Sequence, residues 1–339
     1  MTQIVAYRSP TYYELAAPPE LDWRPYRPPA YFAYREDWLR RGELGQPGTF
    51  PIHLDFDPTN RCNLQCPMCP RTYYLNLGEK DWAPKGLGDM DIELYKKLIN
   101  EGAREGLKSV KLNFLGEPLL YKDLVEMVAL AREAGLWVML NTNAVLLTKD
   151  LSRRLLLAGL TDIFFSFDSP YQKEYEAIRV GASYQKVLDN IASFMDILSA
   201  LNLKAVQTRA SMVLPEEPSG REEIKADYVK LFRDLRVAEI GFGLPSVMGR
   251  DYASLNPKTF LCPDLFRRLF VYHDGVYGPC CGDWARQIPL GSVADGRSLK
   301  EVWLGPELTR LRQKHQTGSY RDILACEGCS VPYLSTLEV

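Results

Sequence analysis

The chain reads as an α/β protein built on a parallel sheet, with a small cysteine-rich module behind it. Three observations predict this. Between residues 51 and about 245, six short apolar runs alternate with five amphipathic stretches, and repeated strand–helix units imply parallel strands joined by right-handed crossovers. Three cysteines, Cys62, Cys66 and Cys69, follow directly on the first apolar run. From about residue 246 the alternation stops and five more cysteines appear. The expected division is an arm over residues 1–50, a sheet domain over 51–245 and a cysteine-rich module over 246–339.

Composition sets outer bounds. With 339 residues, 46% hydrophobic and 25% charged, the chain is globular and long enough for one large domain or two ordinary ones. A formal net charge of -2 gives no basis for a nucleic acid or an anionic membrane as partner. No stretch approaches the roughly 20 apolar residues of a membrane span. The first ten residues lack the basic-then-apolar pattern of a signal peptide. Eight cysteines without an export signal point to metal ligation in a reducing compartment, hence a cytoplasmic protein.

The elements follow in order. The arm carries Pro18-Pro19, Trp23-Arg24-Pro25-Tyr26 and Pro28-Pro29. Proline forbids long helix and the rings need burial, so an extended arm lying on its own domain is expected, with partner recognition as the other reading. Strands are expected at 52–57, 109–114, 137–141, 162–167, 204–213 and 239–243. Helices are expected at 92–105, 124–134, 149–157, 184–201 and 221–235. In the first of these, Ile92, Leu94, Leu98 and Ile99 stand among Lys96, Lys97, Asn100 and Glu101, which leaves one stripe to bury. Six units are too few for an eight-fold barrel.

Cys62, Cys66 and Cys69 have C-x3-C-x2-C spacing. Three close thiolates with no nearby fourth can hold a four-iron cube by three corners and leave the last iron open to a small molecule, as catalytic metal sites keep one position free. A zinc site or three buried thiols is the plainer reading. Packing does not explain three cysteines in eight residues flanked by Asn60, Arg61 and two prolines.

This spacing resembles the radical S-adenosylmethionine superfamily. The resemblance implies an open, partial (β/α)6 parallel barrel whose chemistry collects at the C-terminal strand ends. It also implies S-adenosylmethionine chelated by the open iron, and a flavodoxin- or ferredoxin-type reductant. In that family a Gly-Gly-Glu-Pro element after the second strand pairs with the cofactor amino group; here Gly116, Glu117 and Pro118 match and Leu115 replaces the first glycine. Ser166 and Asp168 resemble a Ser-x-Asp whose serine touches the ribose or carboxylate, although Asp168 and Ser169 also suit a helix N-cap. Thr142-Asn143 resembles Thr-Asn-Gly with Ala144 in place of glycine, making Asn143 a cofactor candidate. Arg209, alternating in the fifth strand, is a fork for the cofactor carboxylate or the partner of a structural acid. Met68 stands where relatives place an aromatic residue beside adenine, and its thioether can pack on a ring.

The distal cysteines are Cys262, Cys280, Cys281, Cys326 and Cys329. Asp274-Gly275 is a hairpin signal that folds Cys262 toward Cys280, and Cys326-Glu327-Gly328-Cys329 can clamp one ion or cluster. This half resembles the short auxiliary-cluster module called twitch, found in radical aminocyclitol dehydrogenases, which implies a second 4Fe–4S cluster on Cys262, Cys280, Cys326 and Cys329. The longer SPASM module continues with further cysteines, whereas this chain ends ten residues after Cys329. A four-cysteine zinc site is the alternative. Adjacent side chains on a strand face opposite ways, so Cys281 is a spare core thiol or a hydrogen-atom donor to a substrate radical.

The expected activity is hydrogen abstraction from a carbinol carbon of a sugar, aminocyclitol or other polyhydroxylated small molecule. Oxidation to a ketone is the leading outcome and epimerisation with Cys281 as donor the alternative. Peptide maturation is a further alternative, against which stand the single-cluster module and an arm short for a folded leader-peptide binder.

Overall fold

The computed structural model describes residues 12–78, 86–216, 219–288 and 290–337. Its nine strands are β1 (Tyr12–Leu15), β2 (His53–Phe56), β3 (Ser109–Leu112), β4 (Trp137–Thr142), β5 (Asp162–Ser166), β6 (Gln207–Val213), β7 (Glu239–Gly243), β8 (Arg268–Val271) and β9 (Tyr277–Gly278). They form one sheet in the order β1-β7-β6-β5-β4-β3-β2-β8-β9. β2 to β7 are parallel neighbours in chain order, as the alternation predicts for a partial barrel. The first eight helices are α1 (Pro29–Leu44), α2 (Pro70–Leu77), α3 (Ile92–Glu105), α4 (Leu124–Glu133), α5 (Lys149–Leu157), α6 (Gln172–Ile178), α7 (Tyr184–Ala200) and α8 (Arg221–Asp234). No helix among the described residues is long and apolar enough to cross a membrane.

Local chemistry sets these bounds. The Asp91 carboxylate accepts from Glu93 N at 2.8 Å at the start of α3, and Gly106, at φ 99°, ends it. Tyr95, Leu98 and Ile99 then meet the sheet as one buried stripe. On β3, Val110 and Leu112 are fully buried in the main core, so Ser109 and Lys111 turn the other way, into the barrel. Each fully buried Val or Leu contributes about 1.5–3 kcal/mol, enough to hold a strand in register against a one-residue slip.

Two expectations are corrected. The arm is not extended throughout: α1 runs for 16 residues. Pro28 and Pro29 sit at its N-cap and first position, where a missing N–H costs nothing and a fixed φ favours the helix. The arm does pack on its own domain, across the N-terminal mouth of the barrel. Trp23, Tyr31, Tyr34 and Trp38 form a second buried cluster there with Ile52 and Ala238. The Arg27 guanidinium lies over the rings of Trp23, Tyr31 and Trp137 and donates to Thr161 O and Asp162 Oδ1.

The second correction concerns the C-terminal module, which is joined to the barrel sheet. β8 pairs parallel with β2, His53 opposite Arg268 through Phe56 opposite Val271. The expected hairpin is present: β9 returns antiparallel on β8, and Gly275, at φ 80°, makes the turn. The sheet thereby places residues after 270 beside the end of β2, where the first cysteines begin.

Candidate active site

The chain leaves β2 through a loop braced by its own side chains. Thr59 Oγ1 contacts Gly88 O at 3.0 Å and Asp89 Oδ1 at 2.7 Å. Asn60 donates to Gly86 O and accepts from Gly88 N, while Arg71 Nε donates to Asn60 O at 2.8 Å. Cys62, Cys66 and Cys69 follow. Cys69 N donates to Cys66 O at 3.0 Å, and Cys69 is the N-cap of α2. Cys66 is buried and the other two are half-buried. Burial pushes the Cys62 thiol up to about 11 and raises Cys66 as well, so thiolate forms here only with a cation to hold it, as metal ligation provides.

Arg179 is the residue that the sequence reading missed. Its Nη1 lies 3.9 Å from Cys66 Sγ and its Nη2 pairs with Asp168 Oδ2 at 2.5 Å. A lone arginine at a helix exit carries no spacing signal, and only the fold brings it to the triad. Asp168 does not cap a helix: its other oxygen accepts from Val213 N at 2.9 Å, and Ser169 Oγ accepts from Tyr171 N at the start of α6. Ser166 closes β5, opposite Ser211 on β6.

Gly116-Glu117-Pro118 is pressed against the cysteine loop. Glu117 N donates to Arg61 O at 2.8 Å, and a Cβ on Gly116 would stand 1.8 Å from Thr59 O and 2.7 Å from Arg61 O. Only glycine permits that approach. The buried Glu117 carboxylate accepts from Leu119 N, from Thr142 Oγ1 at 2.6 Å and from Asn143 N at 2.8 Å. Burial raises its pKa, against these three donors. Glu117 therefore braces the β3 loop on the β4 loop. Asn143 Nδ2 donates onward to Asn63 Oδ1, so the ends of β3 and β4 and the cysteine loop after β2 are tied in one network. Ala144 takes φ 58°, the left-handed conformation for which glycine is the usual residue.

Arg209 is not brought to this group. Its guanidinium pairs with Glu14 of β1 and lies 3.6 Å from the Phe164 ring centroid, among residues lining the lumen toward the arm. The structural-acid reading is the one observed, because β1 adds an acid beside it that periodicity alone cannot foresee.

The distal cysteines line one cavity of about 130 Å³. Cys262 caps a short turn at Pro263–Phe266, and its N lies 3.3 Å from His315 Nδ1. Cys326 sits in a helical turn at Leu324–Glu327 and Cys329 caps the next, Ser330–Leu334. Asn256 Nδ2 donates to Glu327 O and Cys329 O while its Oδ1 accepts from Tyr333 N. A Cβ at Gly282 would lie 3.2 Å from Cys329 Sγ and 3.8 Å from Cys280 Sγ, so both sulfurs flank one point. Burial raises all four thiols, with the neighbouring cysteines adding to the effect. Tetrahedral zinc, at about 2.3 Å from each sulfur, needs them clasped on one ion. Four thiols around a cavity fit a wider group such as a cluster.

Cys281 stands between the two halves. Arg268 Nη2 lies 3.4 Å from its sulfur and Asp264 Oδ2 3.7 Å away. It lines the distal cavity and also a groove of about 370 Å³ bounded by Tyr74 of α2, Met248, Tyr252, Trp284 and Leu324. The groove runs from the helix after the triad to the distal thiols.

Comparison with known proteins agrees with this division. Residues 56–203 match the radical SAM superfamily and residues 262–330 an iron–sulfur cluster-binding domain, SPASM. The chain is 31% identical over 310 residues to a PqqA peptide cyclase of Rhodopseudomonas palustris, covering 79% of this chain and 77% of that one. It is 36% identical over 286 residues to the PqqA peptide cyclase of Bradyrhizobium diazoefficiens, covering 78% and 71%. Among solved structures, SuiB of Streptococcus suis bound to precursor peptide SuiA aligns with TM-score 0.56 at 15% identity, over 88% of this chain and 74% of that one. BtrN in complex with AdoMet and 2-DOIA aligns with TM-score 0.53 at 16% identity, over 82% and 92%. These last two show a shared fold. With the relatives covering most of both chains, the protein belongs to the radical S-adenosylmethionine superfamily, carries a SPASM iron–sulfur domain, and uses S-adenosylmethionine and iron–sulfur clusters as cofactors.

Proposed function

We propose that this enzyme modifies a peptide, closing a ring within it at the expense of two hydrogens. The observation that carries this reading is the 31% and 36% identity to two peptide cyclases over nearly four fifths of the chain. Cys62, Cys66 and Cys69 would hold the cluster that binds S-adenosylmethionine, and Cys262, Cys280, Cys326 and Cys329 the distal one. When bound, the cofactor supplies an equivalent that takes a hydrogen atom from carbon, ending as 5′-deoxyadenosine and methionine. The loops at Gly116–Pro118, Asn143 and Ser166 frame that cofactor. Asp168 keeps Arg179 against Cys66, where a buried guanidinium offsets thiolate charge. The groove between Tyr74 and Leu324, of about 370 Å³ and lined by Val247, Met248, Trp284 and Val331, would seat a peptide segment. Ring closure balances when the first carbon gives its hydrogen atom to the cofactor, the new bond forms, and the second atom releases a proton and an electron. A cluster held by Cys262, Cys280, Cys326 and Cys329 would supply an acceptor for that electron, and a flavodoxin- or ferredoxin-type reductant would supply the electron that cofactor cleavage needs.

Oxidation of a polyhydroxylated metabolite, or its epimerisation with Cys281 as donor, has weaker support, since the likeness to BtrN at 16% identity is one of fold. The test offers anaerobically reconstituted enzyme the peptides PqqA and SuiA and, separately, 2-DOIA. Peptide should drive 5′-deoxyadenosine formation and emerge lighter by two hydrogens. Formation driven by 2-DOIA and by none of the peptides would overturn the reading.

A further inference from the structure

The cysteine triad has a cation built against it. Arg179 follows α6, and its backbone is held on both sides: its N donates to Tyr175 O and its O accepts from Ala182 N. The chain then runs along the cysteine loop. Gln65 N donates to Val180 O at 3.0 Å. Gly181, at φ 100°, stands where a Cβ would lie 3.3 Å from Leu64 Cδ2 and 3.4 Å from Asn63 O. A left-handed glycine thus lets the α6 exit press on the loop, and these contacts deliver Arg179 to the sulfur.

The side chain is held as firmly. Nη2 pairs with Asp168 Oδ2 at 2.5 Å, and Asp168 is itself fixed to β6, since its other oxygen accepts from Val213 N at 2.9 Å. Nη1 is left to donate to Cys66 Sγ at 3.9 Å, and Cys66 is the buried one of the three cysteines. The Arg179 Nε is also buried, with no hydrogen-bond partner among the described residues. An arginine that only closed an ion pair would engage both carboxylate oxygens, the stronger geometry. A buried pair also adds little stability over apolar side chains of the same volume. Here one edge of the guanidinium is turned to a thiol, so its charge acts on the sulfur.

Reduction of a cluster on the triad adds one negative charge, shared among irons and sulfurs. A hydrogen bond to a ligand sulfur and a fixed cation beside it favour the reduced form, and iron–sulfur potentials are set by such contacts. Arginine keeps its charge at any working pH, so the effect is permanent. We propose that Arg179 is a positioning residue that raises the reduction potential of the first cluster through Cys66, with Asp168 holding the guanidinium in place. The step it assists is transfer of one electron from a flavodoxin- or ferredoxin-type protein to the cluster, with no proton moved. The inference rests on the triad holding that cluster and on nothing about the substrate.

The test is a redox titration of anaerobically reconstituted enzyme, without substrate or S-adenosylmethionine, followed by electron paramagnetic resonance. The first cluster's signal is the one missing from the Cys62→Ala/Cys66→Ala/Cys69→Ala variant. Arg179→Gln leaves Asp168 buried without its cation, so the Asp168→Asn/Arg179→Gln double variant, neutral at both positions, is titrated beside it. In each, the reduced-to-oxidised ratio at a fixed poise should fall at least about tenfold, a downward shift of about 59 mV for a one-electron couple. Arg179→Lys, which keeps the charge, should stay closer to the unmutated value than Arg179→Gln. The distal cluster, titrated in the same sample, should not move, and iron content shows that each variant is loaded. An unmoved first cluster, an equal shift at both clusters, or a lysine variant shifted as far as the glutamine one would overturn the proposal. Loss of the first cluster from both neutral variants would overturn it too, since the arginine would then be structural. A failed triad assignment shows itself separately, as both signals surviving in the triple alanine variant, and a failed peptide reading leaves the titration untouched.

Discussion

The two mouths of the barrel are built from different materials. At the N-terminal mouth, aromatic rings close the lumen around Arg27, whose charge is met by Asp162, two backbone carbonyls and three ring faces. At the C-terminal mouth, Cys62, Cys66 and Cys69 stand on the loop after β2 with Glu117, Asp168 and Arg179, while the five distal cysteines line a cavity beside β8. The first is a seal whose interactions end within the protein. The second keeps three close thiols buried or half-buried, with Cys62 and Cys66 raised by burial, which is costly unless something binds. Stability and chemistry are thus separated along one barrel, as parallel barrels allow.

That separation can be broken at either end. The largest effect is expected from replacing Cys62, Cys66 and Cys69 together by alanine. Cofactor cleavage, read as 5′-deoxyadenosine under anaerobic reduction, should vanish while the thermal transition persists; undiminished cleavage would remove the triad from the chemistry. Next is Gly116→Ala. A Cβ 1.8 Å from Thr59 O must push the β3 loop off the cysteine loop, and a displacement of about 1 Å near a reacting group costs up to roughly a hundredfold in rate. Cleavage should fall on that scale, and wild-type rates would show that the two loops need not touch.

The Cys326→Ala/Cys329→Ala double variant should hold about four irons where the unmutated enzyme holds about eight. Its melting temperature should drop, because the group tying Cys262 to the C-terminal turns is lost. One equivalent of zinc with about four irons in the unmutated protein would show that the distal site is not a cluster. At the sealed mouth, Arg27→Met leaves Asp162 buried without its cation, a loss of about 3–5 kcal/mol. Denaturant midpoints should move accordingly while cleavage per folded molecule stays unchanged. A selective loss of cleavage would mean that the arm acts on the site. The smallest effect is a gain: Ala144→Gly relieves a left-handed alanine at φ 58°, and about 1 kcal/mol of added stability is expected.

Legibility differed between regions for physical reasons. Helices 92–105 and 149–157 were readable to the residue, since their stripes, caps and terminal breakers all lie within the segment. The triad was readable because its cysteines share eight residues of one loop. The helix at Pro29–Leu44 was missed because proline was weighed as a breaker, when at the first turn it is a starter. β8 was read only as half of a hairpin, although it also extends the barrel on β2. Its apolar run is the same for either neighbour, and the choice depends on an edge left open far earlier in the chain, at His53–Phe56.

The chain by itself determined the alternating sheet, the three-cysteine loop, the distal thiol pairs and the Asp274-Gly275 turn, because each is carried by side chains a few residues apart whose preferences are local. Tertiary structure alone decided which charges meet. Arg209 went to Glu14 and not toward the cofactor loops, Arg179 came to Cys66 through Asp168, and Arg268 reached both Asp55 and Cys281. Lys111 was left facing the lumen. Coulomb pairing acts over a few ångströms without regard to sequence separation, so its outcome is written in the packing of strands and not in the order of residues.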